Sequence, residues 1–146
     1  MARGIASPNY YQVLLASAAR TVTAGTNGTA AVVPTNTRKA FLLLDATVAV
    51  TDSGDLLDAY IDVSPDGTTY VNAVRFTQVV GGAGAKKYWA VLDSNTPGTA
   101  VIAVTTDCAQ SVVRPQLWGA MIRPRWVITD TGGNASFTFS IGVLWC

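Results

Sequence analysis

The residues to test first for chemistry are the acids, because all nine are Asp and the chain contains neither Glu nor His. General acid–base catalysis recruits His or a carboxylate of raised pKa, and a nucleophilic Ser or Cys needs a base within hydrogen-bond reach. Only Asp, Lys and Tyr remain as candidates. Asp52, Asp55, Asp66, Asp93 and Asp130 fall in turn-forming stretches, and Asp45 and Asp107 fall at strand ends. Capping of backbone N–H groups accounts for carboxylates in such places. Nothing in their spacing puts two in a common cleft, so no catalytic residue is assigned and the chain reads as a non-enzyme.

Metal and cofactor chemistry fares no better. Asp62-Val63-Ser64-Pro65-Asp66-Gly67 begins like a calcium loop, but the position that should carry the bidentate Glu is Ala73. Asp52, Asp55 and Asp58 offer oxygen ligands without a complete set, and read better as solvated turn carboxylates. Two Cys without His cannot close a zinc site. Gly81-Gly82-Ala83-Gly84 lacks the Lys-Ser/Thr of a phosphate loop and reads as a flexible connection. Asn27-Gly28-Thr29 and Asn134-Ala135-Ser136 match glycosylation sequons, but read better as turns. Cys108 and Cys146 could pair, although a core of this size does not depend on a disulfide. No metal, cofactor or small-molecule substrate is expected.

Composition points toward contact instead of chemistry. Hydrophobic residues make up 49% of the 146 positions and charged residues 13%, against roughly 25% charged in an ordinary soluble domain. Much of the surface must be Thr, Ser, Asn, Gly or apolar, and exposed apolar area marks places where another protein docks. The net charge is +1 and the basic residues are scattered, so the electrostatic stripe of a nucleic-acid binder is missing. No run of 18 apolar residues occurs, and the first residues lack the apolar core of a secretory signal; cytoplasmic synthesis without membrane insertion is the expectation. Trp89, Trp118, Trp126 and Trp145 could line a carbohydrate groove; the alternation around Trp126 and Trp145 favours the core, while Trp118 is left open.

The elements that would position these residues are strands. Ser136 to Trp145 alternates cleanly, with Phe137, Phe139, Ile141, Val143 and Trp145 on one face. Phe41 to Leu44 lies in an apolar run, Lys39 to Val50, that reads as a strand buried on both faces. Leu56 to Val63 alternates and turns at Ser64-Pro65-Asp66-Gly67 into an antiparallel partner, Tyr70 to Val80. Lys86 to Leu92, Ala100 to Thr106 and Pro115 to Thr129 are further strands, the last with Arg123 and Arg125 together on the face opposite Trp126. Asn27-Gly28 between Thr/Val-rich runs signals a hairpin within residues 21–37. Residues 8–19 fit a capped helix, an extended arm or an edge strand. The fold class is all-β: residues 21–146 form one antiparallel β-sandwich or jelly-roll-like domain, preceded by an N-terminal arm over residues 1–20.

Two stretches carry a family resemblance. Leu57 to Tyr70 followed by Ala73 to Val79, and the later Met121-Ile122-Arg123-Pro124-Arg125-Trp126 with Phe137 to Val143, resemble small virion proteins of tailed bacteriophages. Among these the chain is similar to the capsid decoration, or cement, proteins, and the likeness spans residues 57–145. The resemblance implies a jelly-roll-like subunit that forms homotrimers on the virion surface and stabilises the mature head by clamping the major capsid protein. The family has no short catalytic motif to transfer. Tyr10 and Tyr11 on the arm, Trp118, and the paired Arg123 and Arg125 are the candidate protein contacts. Other virion components (tail, neck or head fibre) and a carbohydrate-binding module are the alternatives.

Overall fold

The computed structural model describes residues 10–21, 25–49, 52–98 and 100–146. Two antiparallel sheets pack as a sandwich, and no helix occurs among the described residues. The four-stranded sheet runs β1 (Tyr10–Arg20), β11 (Phe137–Trp145), β4 (Lys39–Ala49), β8 (Lys86–Asp93). The second sheet is centred on β10 (Met121–Thr129) and β5 (Leu56–Ser64). The short strands β2 (Thr26–Asn27) and β3 (Ala31–Val32) flank β10, while β6 (Val71–Arg75), β7 (Val79–Val80) and β9 (Val112–Val113) extend it beyond β5.

The core forms where the two sheets face each other. β11 sends Phe137, Phe139, Ile141, Val143 and Trp145 inward, all fully buried, as its alternation requires. Ala40, Leu42, Leu44 and Ala46 do the same from β4, and Leu57, Ala59, Ile61, Ile122 and Ile128 answer from the opposite sheet. Aromatic edges lock the layers: Trp126 meets Phe139 at 6.0 Å, and Trp118 meets Trp145 at 6.4 Å, both edge to face. The Trp145 indole donates to the Gln12 carboxamide, so even β1 is tied to the core.

Several sequence expectations change. Of the three readings open for residues 8–19 the edge strand holds, and the helix and the free arm do not: Tyr10 to Arg20 pair with β11, with Leu14 in the core. Residues 1–9 of the expected arm lie outside the described residues. Asn27-Gly28 makes no hairpin: β2 and β3 both run along β10, and Gly28 N–H donates to the Pro124 carbonyl. A Cβ on Gly28 would stand 2.6 Å from the Pro124 ring, so Gly is what lets the chain cross that proline. Proline has no N–H to offer a neighbouring strand, which explains why the flanking pairing breaks in two there.

The burial roles of β4 and β5 are exchanged. β4 is buried on its inner face and half-buried outside, whereas β5 is buried on both faces from Leu57 to Ser64. Residues 100–106 form no strand; Val101 stands fully in solvent, and Arg114 takes the Thr106 carbonyl. β-Branched residues favour strands when a neighbouring surface is there to pack on, and none is present here. The Gly81–Gly84 connection is held, with the N–H groups of Gly81 and Gly82 donating to Asp55 and Ala49. The Ser64–Gly67 turn forms as expected: Gly67 has φ 79°, and Asp66 accepts from Thr68 and Thr69. Those backbone donors hold the Asp66 carboxyl well below the ordinary Asp range.

Phe139 packs in the core, against Trp126 and beneath the Arg20 guanidinium. Phe139→Ala is expected to cost about 3–5 kcal/mol, read as a lower urea midpoint at unchanged m-value; a loss under ~1 kcal/mol would place the core elsewhere.

Candidate functional site

The two outer faces of the sandwich differ in chemistry, and each carries part of the candidate set. On the four-stranded sheet, cross-strand register aligns two apolar rows. Tyr11, Leu144, Phe41 and Val91 are successive partners in one, and Val13, Gly142, Leu43 and Trp89 in the next. Because strand side chains alternate, all of these point away from the core. Trp89 is 67% exposed, Tyr11 56% and Val13 55%; Phe41, Leu43, Val91 and Leu144 are half-buried by one another. Phe41 and Trp89 hold each other at 5.5 Å between ring centroids. Tyr11 lies across Gly142, where any Cβ would collide with its ring.

Ion pairs bracket these rows. Lys39 reaches Asp93 at 3.8 Å on one side, and Lys87 reaches Asp45 at 3.5 Å on the other. Exposed pairs of this kind contribute under about 1 kcal/mol to stability, so their interest lies in position. An apolar centre with a charged rim is the layout of a protein contact surface. The β1 edge is partly closed as well: Arg20 donates back to the Ala16 and Ala18 carbonyls, which removes acceptors an incoming strand would use.

The outer face of the second sheet is ionic. β5 places Asp58, Tyr60 and Asp62 there, and Arg75 from β6 with Arg123 and Arg125 from β10 close over them. Arg125 donates through Nε to Asp62 Oδ2 at 2.9 Å and through Nη2 to Asp107 Oδ1 at 2.7 Å. Arg75 binds Asp58 at 2.9 Å, and Gln78 donates to the other Asp58 oxygen. Both Arg75 and Arg125 also stack on Tyr60. Burial by itself would lower the Arg125 pKa, but the hydrogen bonds and charges of Asp62 and Asp107 overcome it and hold the group above its ordinary value. Burial and the Asp58 charge push Tyr60 up.

The long connection between β8 and β9 comes down on this face. Cys108 N–H donates to the Asn72 side chain, and Arg114 holds the carbonyls of Thr106 and Asn72. Cys108 is a buried free thiol, so the possible bridge to Cys146 is not formed, and burial raises its pKa. Asp62, Tyr70, Asn72, Val104, Asp107, Arg123 and Arg125 surround a cleft of about 160 Å³.

The residues expected to make contacts therefore separate. Tyr10 and Tyr11 are exposed at the β1 edge, Tyr11 on the apolar face. Trp118 is half-buried against Trp145 and packs on the core, so it is not a free contact. Arg123 and Arg125 sit on the other sheet, and Arg125 is consumed by internal pairs. The outward rows through Phe41, Leu43, Trp89 and Val91 went unrecognised in the sequence because the β4 run looked doubly buried. With Trp118, Trp126 and Trp145 turned inward, Trp89 is the sole tryptophan available as a sugar platform. Asp52, Asp55 and Asp58 do not gather as a calcium site: Asp55 accepts from Thr131, and Asp58 is held by Arg75 and Gln78.

No family model matches the chain, and no curated protein matches it. Among solved structures it is similar to a chain in the structure of infectious bursal disease virus Gx strain, at 14% identity and a TM-score of 0.45. The alignment covers 93% of this chain and 31% of that one.

Asp62, only 4% exposed at its side chain, joins both arginines of β10. Asp62→Ala takes from the partly buried Arg123 its ion-pair partner and leaves Arg125 with Asp107 alone; it is expected to cost about 3–5 kcal/mol, measured by denaturant unfolding. A loss near zero would mean that water replaces the carboxylate there.

Proposed function

We propose that the protein is a structural component of a virus particle, a capsid decoration protein that binds the outside of the assembled shell of a tailed bacteriophage as a homotrimer. It acts without catalysis, cofactor or nucleic acid, and is made in the host cytoplasm before joining the virion. The observation that carries this reading is the pair of apolar rows on the four-stranded sheet with their charged rim. Such an area, left in water, marks a protein-binding surface. The sequence resemblance over residues 57–145 supplies the class of partner, the major capsid protein. A decoration protein stabilises by mass action: it binds the expanded shell and not its precursor, and so shifts the equilibrium toward the bound form at every copy. A rigid, sparsely charged β surface suits that task, since little conformational entropy is lost on docking.

Carbohydrate binding fits less well, because Trp89 is the one exposed tryptophan and the ring beside it, Phe41, is half-buried and tilted 58° to it, so the two form no flat platform. Location elsewhere on the particle, in tail, neck or head fibre, would use the same face and is separated from shell binding by electron microscopy of labelled protein.

Trp89→Lys tests the reading, since its side chain is mostly in water and the change leaves the core untouched. Loss of one large aromatic anchor costs about 2 kcal/mol or more, which is about 30-fold in affinity. Co-sedimentation with expanded heads should fall by that factor while circular dichroism and the unfolding midpoint stay unchanged. Undiminished binding, or a wild-type protein that is a monodisperse monomer indifferent to heads, would overturn the proposal.

A further inference from the structure

We infer that the cleft on the outer face of the seven-stranded sheet is a carboxylate-binding site, with Arg123 supplying the donors. The two arginines that line it are not equivalent. Arg125 spends its N–H groups on Asp62 and Asp107, with four hydrogen bonds between 2.7 and 3.3 Å. The Arg123 side chain makes no hydrogen bond among the described residues; its Nε is buried without one, and its sole ion pair there is a 3.5 Å approach to the Asp62 oxygen that Arg125 already holds. Its side chain is 23% exposed, so water satisfies it only in part. A partly desolvated guanidinium with unused donors gains strongly from an incoming acceptor.

The surroundings define what that acceptor is. The Arg123 guanidinium carbon lies 3.8 Å from the centroid of the Tyr70 ring, and this stacking fixes where its N–H donors sit. The cleft volume of about 160 Å³ accommodates a small planar group. Asp62 and Asp107 already balance the two arginines. A singly charged, planar carboxylate can pair with the Arg123 fork against that background, whereas a doubly charged phosphate meets stronger repulsion from the two acids. Val104, more than half exposed, and Asp107 stand at the rim on the β8–β9 connection, so the cleft opens between that connection and the sheet. The carboxylate can come from a small organic acid or from an Asp or Glu side chain of a partner protein. This inference does not depend on the shell-binding reading, because it concerns the opposite sheet and is tested on the isolated protein.

The test follows the Arg Nε–Hε resonances of the full chain by NMR during titration with sodium acetate. Matched sodium chloride and inorganic phosphate serve as controls, and end-capped Gly-Glu-Gly is compared with Gly-Gln-Gly. Acetate should shift the Arg123 resonance saturably in the millimolar range, and the Glu peptide should do so while the Gln peptide does not. Tighter binding of the Glu peptide than of acetate assigns the site to a partner side chain, and the reverse assigns it to a small acid. Arg123→Gln should abolish the saturable shifts reported by neighbouring backbone amides, with the rest of the spectrum unchanged. Should that variant fold poorly, Arg123→Lys keeps the charge without the planar fork and should weaken acetate binding several-fold. An absence of saturation, survival of the response in Arg123→Gln or undiminished binding in Arg123→Lys, or an equal response to phosphate or chloride would overturn the inference.

Discussion

The pleat of β11 against the second sheet is the constraint from which the rest of the molecule follows. Five large apolar side chains at alternate positions must enter the core, where all five are fully buried and their removal from water stabilises the fold. A one-residue slip would turn all five into solvent, so the register is strongly specified. Once it is set, the intervening residues have no choice of side, and from Gly142 to Trp145, clear of the bulges at Val13–Leu15 and Thr138–Phe139, the antiparallel ladders with β1 and β4, continued to β8, carry the same parity across the sheet. Tyr11, Leu144, Phe41 and Val91 line up outside because Val143, Leu42 and Ala90 line up inside. The apolar outer face is thus built by the same geometry that builds the core.

The second sheet obeys the same parity with different residues. β5 runs through the middle, covered on both sides, and its outward positions are Asp58, Tyr60 and Asp62. Carboxylates in a covered strand need partners, and Arg75, Arg123 and Arg125 provide them from the strands alongside. Buried ion pairs of this sort contribute less to net stability than their geometry implies, because desolvation offsets the Coulomb gain; breaking one is nonetheless costly. Their effect here is to satisfy the charges of the second sheet within one network, while the four-stranded sheet keeps its ion pairs at the rim of an apolar outer face. Asp107 and Cys108 extend the network to the β8–β9 connection and hold that segment on the sheet without strand pairing.

Much of this was legible in the sequence where a local rule and the tertiary environment agree. The alternation of Phe137 to Trp145, the Ser64–Gly67 turn and the pairing of Leu56–Ser64 with the strand after it all follow from period and turn chemistry. What was not legible depends on neighbours. The Asn27-Gly28 dipeptide has the chemistry of a hairpin turn, but its place opposite Pro124 makes it a crossing point. Val101 and Val104 have strand propensity and no strand to join. Leu56–Ser64 reads as half-exposed because it carries two Asp residues, and only the arginines of other strands make those positions interior. The candidate contacts divide in the same way: Tyr11 was visible as an exposed aromatic on an edge, whereas Trp89 becomes notable only when cross-strand register sets it beside Leu43 and Phe41.

The proposed role of the molecule as a shell-binding protein places the working surface on the four-stranded sheet. Hydroxyl-radical footprinting, read by mass spectrometry on protein bound to expanded heads and on protein in solution, tests this most directly. Tyr11 and Trp89 are reactive side chains exposed in the free subunit, and both should become protected on binding, while Met121 on the other sheet keeps its reactivity. Unchanged oxidation of Tyr11 and Trp89 in the bound state, or protection confined to the ionic sheet, would contradict the account.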